Sequence, residues 1–176
     1  NGGTHLPDIT VITPVFDEAG RDILFYVGSR GHHADVGGIS PGSVPPNSKV
    51  VEEEGVLIDN FLLVEEGRLR DAETRALLGS GRYPARNIDQ NMADLRAMIA
   101  ANEKGVQELR RMVGEFGLDV VQAYMAHVQD NAEESVRRLI SKLKDGHFRV
   151  ETDQGTAVEV SIKVDHEARS AVIDFC

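Results

Sequence analysis

The sequence predicts an α+β fold in which antiparallel strands at both ends of the chain flank a long antiparallel helical hairpin. Two patterns carry this prediction. Near both ends, apolar residues alternate with polar ones, which is the period of a β-strand. Between them, apolar residues recur every three or four positions over residues 88–143, which is the period of an amphipathic helix. Strands, then helices, then strands is an order typical of α+β proteins.

The composition is that of one globular domain with a hydrophobic core, since 41% of the 176 residues are hydrophobic. The net charge is −10 and the 19 Lys and Arg residues are scattered, which argues against a nucleic-acid partner because phosphate binding needs clustered cations. No apolar run approaches the roughly 20 residues of a membrane helix, so we expect no membrane association. The one cysteine, Cys176, allows no internal disulfide and favours a reducing, cytoplasmic location.

The N-terminal region is predicted to form a β-hairpin. Residues 8–16 are rich in β-branched and aromatic residues, residues 17–20 (Asp-Glu-Ala-Gly) are typical of a turn, and residues 23–27 form the returning strand. Pro14 cannot donate a hydrogen bond to a neighbouring strand, which predicts an edge position or a bulge there.

The segment after the hairpin is predicted to combine loops, one strand and one short helix. Residues 39–50 are dense in Pro, Gly, Ser and Asn and are interpreted as a loop. Residues 56–64 predict a strand, and residues 71–78 predict a short helix. The helix should end at Gly79 in the left-handed conformation that glycine adopts readily.

Two long helices are predicted on either side of Gly117, over residues 88–116 and 118–143. Helices joined by so short a turn should pack antiparallel. Asn102 is the one polar residue in the apolar seam of the first helix, and a polar residue in such a position often sets the register between helices. From Phe148 the apolar period falls to two, which predicts a return to β structure.

The most informative motif is a His-x-x-Asp spacing that occurs twice, as His5–Asp8 and His32–Asp35. One copy precedes the first strand of the hairpin and the other follows the second, so antiparallel pairing brings them together. Imidazole nitrogens and carboxylate oxygens are good ligands for Zn, Mn and Fe, and all four side chains are therefore predicted metal ligands. The alternative is ordinary loop histidines, with the aspartates serving as turn residues.

Two further side chains are predicted to be catalytic. In an extended loop, adjacent side chains point in opposite directions, so only one of His32 and His33 should bind a metal. We assign the metal to His32, because its spacing copies that of the first motif, and predict that His33 transfers a proton. Glu54, the last of three consecutive glutamates, is predicted to be a general base or a further ligand. A solvated acidic face is the alternative.

Candidate substrate-binding residues are Arg30, beside the second motif, and His127, in the second long helix. Tyr124 and His127 are three residues apart and should share one helix face. They could line a pocket, although every exposed helix also has a polar face that binds nothing.

Several longer stretches carry a family resemblance beyond the two motifs. They are residues 2–8 (GGTHLPD), 29–38 (SRGHHADVGG), 41–46 (PGSVPP), 94–97 (DLRA), 101–105 (ANEKG) and 117–125 (GLDVVQAYM). On these stretches the sequence resembles the hydantoinase B-like half of the hydantoinase B/oxoprolinase family, and the resemblance extends over nearly the whole chain.

The resemblance implies a chemistry that the spacing alone does not give. Enzymes of this family would open the lactam of 5-oxo-L-proline to L-glutamate at the expense of ATP. A hydantoinase A-like half or subunit would bind ATP and Mg and phosphorylate the amide oxygen of this small cyclic amide. The hydantoinase B-like half would then hydrolyse the activated intermediate, using a divalent metal such as Mn or Zn, with His33 moving the proton.

The resemblance leaves alternatives open. An ATP-dependent N-methylhydantoinase would apply the same site chemistry to a different cyclic amide. In a reading without enzymatic activity, the chain is an assembly module whose helical hairpin mediates contacts in a homo-oligomer. The family half is longer than this chain, so we expect a fragment that is inactive in the coupled reaction on its own.

Overall fold

Strands at both ends of the chain enclose a long helical region, as the sequence predicts. A computed structural model of the chain describes residues 5–175. The elements in chain order are β1 (Asp8–Phe16), β2 (Ile23–His32), a 3-10 turn (Val51–Glu53), β3 (Val64–Glu65), β4 (Arg68–Leu69), α1 (Asp71–Leu78), α2 (Ile88–Phe116), α3 (Leu118–Ile140), β5 (Gly146–Glu151), β6 (Ala157–Asp165) and β7 (Ser170–Phe175). The α+β class is confirmed. None of the helices in the described range combines the length and apolar character that crossing a lipid bilayer requires.

The predicted N-terminal hairpin is present, with β1 antiparallel to β2. Its turn is held by Asp17, whose Oδ1 accepts hydrogen bonds from the N–H groups of Arg21 (2.7 Å) and Asp22 (3.2 Å). Pro14 lies on β1, which within residues 5–175 pairs with β2 alone, and a register irregularity follows between Val15 and Phe16. Both expectations for Pro14, an edge position and a nearby bulge, are met.

Helix α2 packs its apolar seam against the hairpin. The buried amide of Asn102 donates to the Val11 carbonyl (3.0 Å), to Thr13 Oγ1 (3.1 Å) and to the Val27 carbonyl (3.4 Å), so its partners are the two strands of the hairpin and not another helix. This corrects the predicted helix–helix role of Asn102. A Cβ added at Gly105 would lie 2.8 Å from Val27 Cγ1, so glycine lets the helix approach β2 closely. The core in this region is built from α2 and the hairpin together with Leu78 of α1 and Ala85.

The region between hairpin and helices differs in part from the prediction. Strand structure is confined to β3 and β4, and residues 56–63 are not a strand. Asn60, in the middle of this segment, has a positive φ angle (46°), which is incompatible with a continuous extended strand. Helix α1 spans the predicted residues, but Gly79 at its end has φ −86° and is not left-handed. Its N–H donates to the Arg75 carbonyl (2.9 Å), which continues the helical hydrogen bonding by one residue.

The chain divides into two compact units, Asn1–Arg111 and Met112–Cys176, with the boundary inside α2. In the second unit, β5, β6 and β7 form an antiparallel sheet in that order. Arg137 of α3 donates to the carbonyl of Ala168 (3.1 Å) in the turn between β6 and β7. The predicted antiparallel packing of α2 against α3 concerns these separate units and stays a prediction.

Candidate metal centre at the open end of the hairpin

Three of the four predicted metal ligands meet at the open end of the hairpin. His5, Asp8 and His32 each offer one ligand atom, and these atoms lie within 4.8 Å of one another. The strand register places Asp8 directly opposite His32, and His32 Nδ1 lies 2.9 Å from Asp8 Oδ1. The rings of His5 and His32 stack with centroids 5.2 Å apart and an interplanar angle of 23°. We call these three residues the His5–Asp8–His32 group.

Local backbone bonds explain how the chain reaches this arrangement. The N–H of His33 donates to the Pro7 carbonyl (2.8 Å), which extends the pairing of the two strands beyond their ends. The N–H of Asp8 donates to the His5 carbonyl (3.0 Å), and this turn folds the His5 side chain back over the strand. His5 Nε2 then lies 3.2 Å from the Ser43 carbonyl in the following loop. The first motif is therefore a turn and the second a strand end.

The charges around Asp8 favour its ionised form. The hydrogen bond from His32 lowers the pKa of the Asp8 carboxyl below its usual value, and the nearby positive charge of Arg30 acts in the same direction. Arg30 Nη2 lies 3.7 Å from Asp8 Oδ2. The side chains of Asp8 and His32 are 30% and 61% exposed, so a solvent ion or a small ligand can reach them. The predicted contact of Arg30 with substrate stays a prediction, although its position beside the group is compatible with it.

Asp35, the fourth predicted ligand, is not part of the group. Its Oδ1 accepts hydrogen bonds from the N–H groups of Gly37 (3.0 Å) and Arg86 (3.0 Å). Its Oδ2 accepts from the N–H of Gly42 (3.0 Å) and from Arg86 Nη1 (2.5 Å). Burial opposes ionisation of Asp35, but these donors more than offset it and lower the pKa of the carboxyl. Because four donors surround the carboxylate, Asp35 is bound within its own loop and is not brought together with the other three side chains. Its role as a fourth metal ligand stays a prediction.

His33 is buried beneath the group, with 1% of its surface exposed. Asn91 Nδ2 lies 3.2 Å from His33 Nδ1 and donates to the Asp35 carbonyl (2.9 Å). Burial lowers the pKa of His33, against the opposing effect of Asp94. The opposite orientation of His32 and His33 agrees with the expectation for adjacent residues. Proton transfer by His33 stays a prediction, and the described residues leave its ring almost no contact with solvent.

The two remaining predicted residues lie outside the group. Glu54 Oε1 accepts a hydrogen bond from Ser48 Oγ (2.9 Å), so its carboxylate is engaged in a separate loop. His127 belongs to the second unit, where its ring meets that of Tyr124 edge-on at 5.7 Å, and its Nδ1 lies 3.9 Å from Asp130 Oδ2. The shared helix face of Tyr124 and His127 is thus observed. The catalytic role of Glu54 and the substrate-binding role of His127 stay predictions.

Three residues that support the site have no signal in the sequence. Arg86 and Asn91 contact residues 33–38 from positions 48 to 58 residues further along the chain. Ser43 is buried, and its hydroxyl donates to the Gly37 carbonyl (2.6 Å). No spacing rule connects positions so far apart, and each is an ordinary residue in a loop or at a helix start.

An antiparallel hairpin backed by a long helix presents two histidines and one aspartate at its open end, which is a donor set suited to a divalent metal. The family model described as Hydantoinase B/oxoprolinase matches residues 1–176. The chain belongs to the hydantoinase B/oxoprolinase family.

Similar proteins of known name agree with this assignment. The chain is 42% identical to a 5-oxoprolinase of Dictyostelium discoideum, in an alignment covering 99% of this chain and 14% of that protein. It is 41% identical to the 5-oxoprolinase of Saccharomyces cerevisiae, with the same coverage of 99% and 14%. It is 29% identical to the caprolactamase subunit beta of Pseudomonas jessenii, over 89% of this chain and 25% of that subunit.

A solved structure shares the fold. The crystal structure of the ATP-dependent caprolactamase from Pseudomonas jessenii superimposes with a TM-score of 0.78 at 24% identity, covering 97% of this chain and 30% of that one. The chain therefore spans only a minor part of the length of each relative, about one-seventh for the 5-oxoprolinases.

Proposed function

We propose that the chain is part of an ATP-dependent cyclic amide hydrolase of the 5-oxoprolinase type, which converts 5-oxo-L-proline to L-glutamate. The relatives that are about 40% identical bear the name 5-oxoprolinase. The more distant caprolactamase carries the description ATP-dependent, and its name points to another lactam. In the molecule itself, the observation that carries the proposal is the His5–Asp8–His32 group.

The proposed division of labour follows from the chemistry of amides. An amide carbon is a poor electrophile, and phosphorylation of the amide oxygen activates it for attack by water. A hydantoinase A-like half or subunit would bind ATP and Mg and perform that phosphorylation. The half that contains this chain would hydrolyse the phosphorylated lactam. One water adds to the activated carbon, and the carbon–nitrogen bond opens to leave an amine and an acyl phosphate. A second water then hydrolyses the acyl phosphate to the carboxylate and free phosphate.

The residues of the group fit a divalent ion such as Mn or Zn. Two imidazoles and one carboxylate have the right donor chemistry, and their ligand atoms are already within 4.8 Å of one another. When bound, such an ion supplies Lewis acidity at neutral pH. The chain's own contribution is to keep Asp8 ionised, through His32 and Arg30, and to orient the His32 ring against it.

The test is a substrate comparison with the complete enzyme and its ATP-binding half. We expect ATP-dependent hydrolysis of 5-oxoproline, and a loss of at least about 100-fold in His32→Ala. His147→Ala is the matched control, because that exposed histidine pairs with Glu159 in the other unit and should leave the rate unchanged. A preference for N-methylhydantoin over 5-oxoproline would contradict the proposed substrate and favour an N-methylhydantoinase.

A second candidate function, assembly, is favoured by the surface of α3. Its apolar positions Val128 and Leu139 are 67% and 59% exposed, and such residues often contact a partner. This agrees with a homo-oligomer in which α3 contributes to the interface. Sedimentation of the complete protein tests it, since monomers at every concentration would contradict the homo-oligomer.

A further inference from the structure

The position of His32 depends on the residue that follows it. His32 is the last residue of β2, and His33 is buried against α2. The N–H of His33 donates to the carbonyl of Pro7 (2.8 Å), the residue directly before Asp8. A displacement of His33 would therefore move His32, which directly precedes it in the chain. It would also move Asp8, because Asp8 directly follows Pro7, the hydrogen-bond partner of His33.

The contact that holds His33 from the interior is the side chain of Asn91. Asn91 lies in the first turns of α2 and is 2% exposed. Its Nδ2 donates to the Asp35 carbonyl (2.9 Å) and lies 3.2 Å from His33 Nδ1. Because a carbonyl can only accept, Asp35 fixes which end of the amide faces the loop. His33 Nδ1 then accepts from Nδ2, so one amide group binds the backbone and the ring of the same loop.

Arg86 holds the next part of the loop from the same side. Its Nη1 donates to Asp35 Oδ2 (2.5 Å), and its Nη2 donates to the Gly38 carbonyl (2.5 Å). Residues 33–38 are thus attached at several points to residues 86–91, which begin the long helix. Within residues 5–175, two side chains of α2 face His33: Asn91, through its amide nitrogen, and Asp94, whose Oδ2 lies 3.9 Å from His33 Nδ1.

We propose that Asn91 is a positioning residue for the metal centre, acting through His33 to hold His32 opposite Asp8. This inference rests on the proposed metal function of the His5–Asp8–His32 group. Residues that hold metal ligands without touching the metal typically change metal affinity about 10–100-fold when mutated. Asn91 would be such a residue, placed one side chain behind the ligand.

The test compares two buried asparagines of the same helix in the complete protein. Asn91→Ala removes the contact with the loop. Asn102→Ala removes a similar buried amide, which binds the strands of the hairpin instead of the loop. For the parent and both variants, the dissociation constants of Zn²⁺ and Co²⁺, the visible absorption spectrum of the Co²⁺-saturated protein and the melting temperature are measured.

We expect both variants to melt at lower temperature, but only Asn91→Ala to bind the ions roughly 10-fold more weakly and to alter the Co²⁺ spectrum. The spectrum at saturation reports ligand geometry, which a general loss of stability would not change. Equal affinities and spectra in the two variants would overturn the inference. A parent that binds neither ion would instead overturn the proposed metal function. If Asn91→Ala does not fold, Asn91→Asp, which keeps the size of the side chain and replaces its Nδ2 donor with an acceptor, carries the same expectations and the same contradicting outcome.

Discussion

The two His-x-x-Asp motifs have the same spacing, but their aspartates have different partners. The Asp8 side chain is 30% exposed and faces His32, whereas the Asp35 side chain is 14% exposed and surrounded by N–H donors. The difference originates in the residues that follow. A strand follows Asp8, and its backbone groups are used in pairing. After Asp35 the chain turns through Gly37 with φ 97°, which directs N–H groups to the carboxylate. The spacing of the motif predicts which side chains lie close together. The backbone conformation after each aspartate determines whether backbone N–H groups occupy its carboxylate.

The largest effect is expected for Gly37→Ala, which would break the turn that captures Asp35. An added Cβ would lie 2.2 Å from the Tyr83 carbonyl oxygen, in a backbone conformation with φ 97°. Strain and overpacking together should lower the free energy of unfolding by about 3 kcal/mol or more. Urea denaturation of the complete protein measures it.

Gly81→Ala is the matched control for Gly37→Ala. Gly81 also has a positive φ (77°), but no heavy atom lies within 4 Å of its added Cβ. Only the cost of the left-handed backbone conformation applies at Gly81, so the free energy of unfolding should fall by about 1–2 kcal/mol. Equal losses at the two positions would show that the 33–38 loop is not packed as described.

The next effect is expected for Asp35→Asn, which keeps the shape of the side chain and removes its charge. The amide cannot accept from all four donors, and the ion pair with Arg86 is lost. We expect a loss of about 1–3 kcal/mol in the free energy of unfolding. A variant as stable as the parent would mean that Asp35 is free of its loop, and would reopen its assignment as a ligand.

The difference in stability between the parent and Asp35→Asn should depend on pH. The donors around Asp35 hold its folded-state pKa below the unfolded value of about 4. The stabilisation is therefore complete above the unfolded pKa and is lost as the pH falls through the lower, folded pKa. The difference in melting temperature between the parent and Asp35→Asn, measured in EDTA, should be constant above about pH 5 and shrink below about pH 4. A difference that grows on acidification would contradict the direction of the shift.

The smallest effect on stability is expected for Asp8→Asn, because Asp8 is partly exposed and faces the group. The free energy of unfolding without metal should change by less than about 0.5 kcal/mol. Metal affinity should fall at least about 10-fold, since the only carboxylate of the group is lost. Isothermal titration with Zn²⁺ checks this. An affinity equal to that of the parent would remove Asp8 from the ligand set.

Local sequence patterns predicted the elements but not all of their partners. The hairpin, α1 and the start of each long helix follow from periodicity and turn residues, and the hairpin explains why Asp8 meets His32. Periodicity also found the apolar seams of α2 and α3, yet α2 covers its seam with the hairpin while Val128 of α3 is 67% exposed. A pattern shows which face is apolar and does not show what packs on it. The contacts of Arg86 and Asn91 with the loop depend on tertiary packing across about 50 residues, which local rules cannot reach.

The metal content of the complete protein tests the central claim most directly. The measurement is elemental analysis of the parent and of His32→Ala after removal of loosely bound ions, with the melting temperature of each protein recorded without metal. We expect about one divalent ion per chain in the parent and almost none in His32→Ala, with the melting temperatures nearly equal. A parent without a bound divalent ion, or a variant that keeps the same content, would contradict a metal centre at His5, Asp8 and His32.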